Sequence, residues 1–364
     1  MQLSSAEWLA ALRILDVNVN RANEGLRVVE EYCRFVLADQ HLTRQCKQLR
    51  HDLSSVCATI PTGDLHLARE TQFDVGTTVT TPQEGNRQSL AHVAEASLQR
   101  IQQALRVLEE YGKLANPELG CRIESLRYRA YTLAKACTIT ADSQQRLKSV
   151  QLYVLLDGDT DEIVFAGRLK ALIAAGVHAI QLRDKSLDDR SLLTRARRAR
   201  ALILETAADA QTRPLLIVND RPGLAFLARA DGVHVGQNEL TVHDARQIVG
   251  PNMLIGVSTH TLEQARQAVL DGANYIGCGP TFPSATKHFD NFPGPAFLTE
   301  VAAEISLPAF AIGGITLENL PQVLATGFTR VAVSSAITGN SNRAAATASF
   351  LNALNKSQIR MASN

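Results

Sequence analysis

Gln181-Leu182-Arg183-Asp184-Lys185 closes an apolar run that begins at Ala174. Read as a strand, the run alternates its side chains between two faces, so Gln181, Arg183 and Lys185 share one of them. An amide, a guanidinium and an ammonium in a row do not pack against apolar core, because an unpaired buried charge is costly. A planar fork beside a point charge suits a polyanion such as phosphate or pyrophosphate. The bland alternative is an edge strand with solvated tips, and the neighbouring strands decide between the two.

Outward from this run, short apolar stretches alternate with amphipathic ones from Gln151 on. The predicted strands are Leu152–Leu156, Ala179–Arg183, Leu215–Val218, Gly232–Val235, Leu254–Val257, Tyr275–Cys278, Ala309–Ile312 and Arg330–Val333. A helical stretch follows each, including Ala265–Leu270 after the fifth and Asn319–Leu324 after the seventh. Eight β-α units in about 210 residues predict an α/β fold, a (β/α)8 TIM barrel, over a doubly wound sheet.

Barrel sites lie at the carboxyl ends of the strands. Gln181, Arg183 and Lys185 end strand two, Asn219-Asp220 strand three and Ser258 strand five, and Gly236-Gln237-Asn238-Glu239 follows strand four. Strand six opens into Gly279-Pro280-Thr281-Phe282-Pro283-Ser284-Ala285-Thr286-Lys287, and strands seven and eight end in Gly313-Gly314 and Ser334-Ser335. So many polar ends on one rim favour a site. Gly313-Gly314 before a helix, beside Ser334-Ser335, suits a phosphate monoester. Asp220 and Glu239 offer hard oxygens for Mg²⁺, completed by water and phosphate oxygens. Arg183 and Lys185 then grip a second anion, and the pattern suggests condensation of a phosphate with a diphosphate ester. His234 and His260 read as structural, and no Ser/His/Asp or Cys/His pair reads as an activated nucleophile.

Seven ordered motifs carry a resemblance: Gln-x-Arg-x-Lys, Val-Asn-Asp, Val-His-Val-Gly-Gln, Gly-Val-Ser-x-His, Gly-Pro-x-x-Pro-Ser-x-Thr-Lys, Ile-Gly-Gly-Ile and Val-Ser-Ser-Ala-Ile. Over nearly all of 150–356 the chain is similar to thiamine-phosphate synthase. That resemblance implies that Gln181, Arg183, Asp184, Lys185 and Asn219 hold an aminopyrimidine diphosphate, and that Ser258 and Lys287 contact its diphosphate. It implies Asp220 and Glu239 as Mg²⁺ ligands, and Ser284, Thr286, Gly314, Ser334 and Ser335 around the thiazole phosphate. Glu239 stands where the family commonly has Asp, Asp184 where Glu is common and Ser284 where Thr is common. Arg183, Lys185 and Lys287 are the implied catalytic residues, stabilising pyrophosphate as it departs. Two rivals remain: the related thiazole tautomerase, which should carry a histidine near 280 where this chain has Gly279-Pro280, and a non-catalytic phosphate-binding regulator.

Residues 1–140 read as helical. Val19, Ala22, Leu26, Val29, Cys33 and Val36 form one stripe, repeated by Leu98, Ile101, Leu105 and Leu108. Arg21 and Arg100, Arg27 and Arg106, and Glu30-Glu31-Tyr32 and Glu109-Glu110-Tyr111 recur 79 residues apart, and Leu49-Arg50 and Leu126-Arg127 recur 77 apart. The pattern predicts an internally duplicated two-helix unit with pseudo-twofold symmetry. In the first copy Asn20, Glu24, Arg27, Glu31 and Arg34 share a polar face, where the second has Gln99 and Gln103 for Asn20 and Glu24. Asp16 to Glu30, Arg50-His51-Asp52-Leu53 and Asp74-Val75-Gly76-Thr77 resemble a domain fused ahead of thiamine-phosphate synthase in some bacteria, a candidate hydroxymethylpyrimidine-phosphate kinase. No Gly-x-x-x-x-Gly-Lys-[Ser/Thr] loop accompanies it, so kinase and assembly module both stand open. The domain boundary is expected within Thr138–Ser149, a polar segment without apolar periodicity.

The 364 residues suffice for two domains, and the net charge of +1 gives no case for nucleic acid or a membrane surface. The Arg195, Arg197, Arg198, Arg200 run reads as a solvated helix face. No apolar run approaches the roughly 20 residues of a membrane helix, and no secretion signal opens the chain, so a cytoplasmic location is expected. The six cysteines include no Cys-x-x-Cys pair and read as buried thiols. The expected partners are small-molecule substrates, and assembly into a homo-oligomer is left open.

Overall fold

The computed structural model describes residues 4–60, 62–69, 86–159, 161–206, 213–283 and 292–362. Ser284, Thr286, Lys287 and the Asp74-Val75-Gly76-Thr77 stretch lie outside them. The chain divides into two compact units, Met1–Ala141 and Asp142–Asn364.

The first unit is helical: α1 Ser5–Phe35, α2 Gln40–Cys57, α3 Thr62–Ala68, α4 Leu90–Ala115 and α5 Pro117–Arg146. Ser4 starts α1 with a reciprocal cap, its Oγ accepting the Glu7 N–H at 3.3 Å and its own N–H donating to the Glu7 carboxylate at 2.8 Å. Ala22, Leu26, Val29 and Cys33 are buried as the stripe predicts, and α1 packs along α4. Val36, expected on that stripe, is exposed because the helix has ended at Phe35.

The duplication reaches the ion pairs. Arg27 meets Glu30 at 3.2 Å and Glu31 at 2.9 Å; Arg106 meets Glu109 at 2.8 Å and Glu110 at 2.9 Å. From the second helix of each pair, Arg50 reaches Glu30 at 3.4 Å and Arg127 reaches Glu109 at 2.7 Å. A buried carboxylate held by two arginines thus occurs in each copy.

The boundary between the units, after Ala141, falls within Thr138–Ser149 as expected, but it lies inside a helix, because α5 runs on to Arg146. Its polar residues are used: Ser143 is fully buried and its Oγ accepts from Asn274 Nδ2 at 3.1 Å. All the cysteines are free thiols; five are buried, whereas Cys121 is exposed, against expectation.

The second unit is the barrel. Its first half comprises β1 Leu152–Leu156, α6 Glu162–Ala174, β2 Ala179–Leu182, α7 Asp189–Thr206, β3 Leu215–Asn219, α8 Pro222–Leu227, β4 Gly232–Val235 and α9 Val242–Val249. The second half comprises β5 Leu254–Thr259, α10 Leu262–Asp271, β6 Tyr275–Cys278, α11 Gly294–Glu304, β7 Ala309–Ile312, α12 Leu320–Ala325, β8 Val331–Val333, α13 Ser335–Thr338 and α14 Arg343–Ala362. The strands close in sequence order, all parallel, with β8 beside β1. Strands two and eight are each one residue shorter than expected, whereas three and five run on to Asn219 and Thr259.

Aromatic rings from β1, β6 and β7 fill the barrel. Tyr153, Tyr275 and Phe310 meet edge to face, with centroids 5.4 to 6.0 Å apart. Gly256 on β5 makes room, since a Cβ there would fall 2.1 Å from the Tyr275 ring. Among the described residues no helix is long and apolar enough to cross a membrane.

Candidate active site

Past the end of β2, Arg183 N–H continues the ladder to Leu156 O at 2.9 Å, which keeps Gln181 and Arg183 in strand alternation. Among the described residues neither Arg183 nor Lys185 forms a salt bridge. Asp184, on the other face, turns back into its loop. Its carboxylate accepts from Gly158 N at 3.0 Å, Ser186 N at 2.8 Å, Ser186 Oγ at 2.6 Å and Leu187 N at 3.1 Å. Partial burial works to raise its pKa, but these hydrogen bonds prevail and hold it below the ordinary value. Asp184 therefore braces the loop that carries the two cations.

β3 delivers Asn219 and Asp220. Asn219 Nδ2 donates to Asp220 Oδ2 at 2.6 Å, and Asp220 N–H donates to His234 O at 2.8 Å. Burial raises the Asp220 pKa, the Glu239 carboxylate raises it further, and Lys185, Asn219 and Arg183 pull against both. Two carboxylates and two cations from β2, β3 and the turn after β4 are thus in electrostatic reach of one another. No cluster of three or more His, Cys, Asp or Glu placed for a metal occurs among the described residues. Two repelling carboxylates fit a hard cation such as Mg²⁺ whose remaining ligands come from water and phosphate oxygens.

Inside the rim, the candidate residues Gln181 and Ser258 are joined through three side chains that were not assigned to the site. Gln181 Nε2 donates to Tyr153 OH at 2.7 Å, Tyr153 OH lies 3.1 Å from Tyr275 OH, and Tyr275 OH lies 3.2 Å from His234 Nδ1. His234 Nε2 lies 3.0 Å from Ser258 Oγ. His234 and Ser258 are thus in hydrogen-bond contact, although the sequence offered no such pair as an activated nucleophile. Burial, and then the Arg183 charge, push the His234 pKa down to about 4, so the ring is neutral near pH 7.

Farther round the same rim, Gly313 and Gly314 adopt φ of +100° and +64°. A Cβ at Gly314 would fall 2.5 Å from Pro283 O and 2.6 Å from Phe282 O. Thr281 N–H donates to Ile312 O at 2.9 Å and Phe282 N–H to Gly313 O at 3.0 Å. The segment leading into Ser284, Thr286 and Lys287 therefore starts against the glycine pair. Gly294 N–H reaches Pro280 O at 3.4 Å, which brings the two ends of that connection together. Ser334 Oγ lies 3.4 Å from Leu155 O, and Ser335 opens α13 beside it.

Comparison with known proteins gives this rim its context. The thiamine monophosphate synthase family matches residues 152–337, and the ThiD2 family matches residues 13–136. The thiamine-phosphate synthase of Rhodopirellula baltica is 46% identical over 345 residues, covering 92% of this chain and 90% of that protein. The chain belongs to the thiamine-phosphate synthase family. The thiamine-phosphate synthase of a Synechocystis species is 40% identical over 354 residues, covering 97% of this chain and 99% of its own. The thiamine phosphate pyrophosphorylase of Pyrococcus furiosus superposes with a TM-score of 0.51 at 30% identity, over 58% of this chain and 98% of its own. The candidate site residues among those described come from β2, β3, β5, the turn after β4 and the ends of β7 and β8. Tyr153 and Tyr275 were missed, and His234 was read as structural. Strand alternation puts His234 on the inner face of β4, but only barrel closure shows what it meets.

Proposed function

We propose that the barrel joins an aminopyrimidine-methyl diphosphate to a thiazole phosphate, releasing thiamine phosphate and pyrophosphate. The observation that carries this reading is the pairing of Arg183 and Lys185, without salt bridges among the described residues, with the Asp220–Glu239 carboxylates at one rim. The bond from the pyrimidine methylene to the diphosphate oxygen breaks, and its electron pair leaves with pyrophosphate. The thiazole nitrogen then donates its lone pair to the methylene cation. Arg183 and Lys185 stabilise the departing charge, and Lys287 is assigned the same work. Asp220 and Glu239 would hold Mg²⁺, which supplies further neutralisation of the pyrophosphate oxygens. Gly314, Ser334 and Ser335, with Ser284 and Thr286, receive the thiazole phosphate, and Gln181 and Asn219 orient the pyrimidine. The test is to supply the full chain with both substrates and Mg²⁺ and follow the products. Equal amounts of thiamine phosphate and pyrophosphate are expected; pyrophosphate without thiamine phosphate would contradict the reading.

The ThiD2 match favours a second activity for the helical unit. We infer that it phosphorylates the hydroxymethylpyrimidine phosphate from which the barrel's substrate is made. Full chain given that monophosphate, ATP, thiazole phosphate and Mg²⁺ should form thiamine phosphate. If it does so only when the diphosphate is supplied ready-made, the unit serves assembly.

A further inference from the structure

The line Gln181–Tyr153–Tyr275–His234–Ser258 crosses the barrel interior from β2 through β1, β6 and β4 to β5. Gln181, Tyr153, Tyr275 and His234 are all buried, so water does not compete for their polar atoms. Each hydroxyl carries one proton and a neutral imidazole one N–H, which leaves two self-consistent directions for the line. Gln181 selects between them. Its Nε2 donates to Tyr153, so the Tyr153 proton goes to Tyr275 and the Tyr275 proton to His234 Nδ1. The imidazole proton then sits on Nε2 and is donated to Ser258 Oγ. Ser258 has accepted, and its own proton is left to donate into the site.

We propose that Tyr275 and His234 are positioning residues that fix the Ser258 hydroxyl as a donor to the diphosphate of the pyrimidine substrate. The proposal rests on the reading of Ser258 as a diphosphate contact. The same polarity removes the other use of a Ser/His pair. A histidine whose Nε2 already donates to Ser258 cannot take that hydroxyl's proton, and Nδ1 faces a donor, where a carboxylate would be needed to orient a base. The line also joins two residues assigned above to one ligand, Gln181 to its pyrimidine and Ser258 to its diphosphate.

The experiment is a double-mutant cycle in the full-length protein with Tyr275→Phe, Ser258→Ala and the pair, read as kcat and KM for each substrate. Each single change should lower kcat/KM for the pyrimidine diphosphate about tenfold, the size of one lost hydrogen bond to a charged group. KM for the thiazole phosphate should not move, and the pair should be no worse than Ser258→Ala alone. Multiplying losses in the pair would mean that Tyr275 only supports the fold, which overturns the proposal. An unchanged kcat/KM in Ser258→Ala would remove the diphosphate contact and the proposal with it. A covalent adduct at Ser258 in the intact protein would also overturn it. Should Tyr275→Phe fail to fold, Tyr153→Phe enters the same cycle with the same expectations.

Discussion

Asn219 Nδ2 donates to Asp220 Oδ2 at 2.6 Å and steadies a carboxylate whose backbone sits at φ +58°. That left-handed conformation is unfavourable for a residue with a Cβ. Burial and then Glu239 also work against the charge Asp220 carries, as its raised pKa records. A strained carboxylate repelled by a second one supports the proposal that Asp220 and Glu239 hold a cation.

Asp220→Asn separates function from stability. Asparagine tolerates the left-handed region and keeps the side-chain shape, while the charge beside Glu239 is gone. Turnover should fall by roughly two to three orders of magnitude, the effect of losing a major charge-stabilising element. The melting temperature without substrate should hold or rise. Near-normal turnover at saturating Mg²⁺ would remove Asp220 from the metal site.

Gly314→Ala tests the glycine cradle. The new Cβ would meet Pro283 O at 2.5 Å in a backbone with φ +64°, so strain and displacement arrive together. Stability should drop by about 1–3 kcal/mol, and KM for the thiazole phosphate should rise far more than KM for the pyrimidine diphosphate. Equal effects on both would place the phosphate elsewhere.

The duplicated carboxylates should differ in sensitivity. Glu109→Gln strands Arg127, whose side chain is only 9% exposed, while Glu30→Gln strands Arg50, which at 29% retains more water. Breaking a buried pair costs about 3–5 kcal/mol, so Glu109→Gln should approach that loss and Glu30→Gln fall well short. Thermal unfolding of the two variants gives the order; the reverse order would contradict it.

His178 makes barrel stability depend on pH. Its Nδ1 accepts the N–H groups of Gln151 and Leu152, each at 3.2 Å, and burial lowers its pKa below 6.5. The fold therefore holds the neutral ring. Its contribution is complete above pH 6.5 and is lost as pH falls through that value toward the lower folded one. Melting temperature plotted against pH should decline more steeply below pH 6.5 in the intact protein than in His178→Ala. Parallel curves would exclude the linkage.

Strand count and the polar strand ends were legible because parallel barrel strands, buried on both faces, read as continuous apolar runs that end in polar residues. The duplication of the helical unit was legible too, since Arg27 and Arg106 stand at the same offset from their carboxylates, and the structure adds that each pairs with them. Asp184 was not, because alternation gives the face a side chain leaves by and says nothing of a carboxylate folding back onto Ser186 and Leu187. The course of α5 past Thr138 was hidden because Ser143 is buried by a hydrogen bond to Asn274, where the sequence shows only a polar residue. The Tyr153–Tyr275–His234 line joins strands far apart in the chain, and closure alone brings them together.

The most direct measurement is the single-turnover rate with a pyrimidine diphosphate carrying an electron-withdrawing ring substituent, after chemistry has been shown to be limiting. A rim that stabilises a leaving group and activates no nucleophile requires that bond cleavage run ahead of bond formation. The substituent should then slow the chemical step far more than it weakens binding, because it destabilises the methylene cation. A rate indifferent to the substituent would mean that the thiazole nitrogen attacks before the pyrophosphate has left.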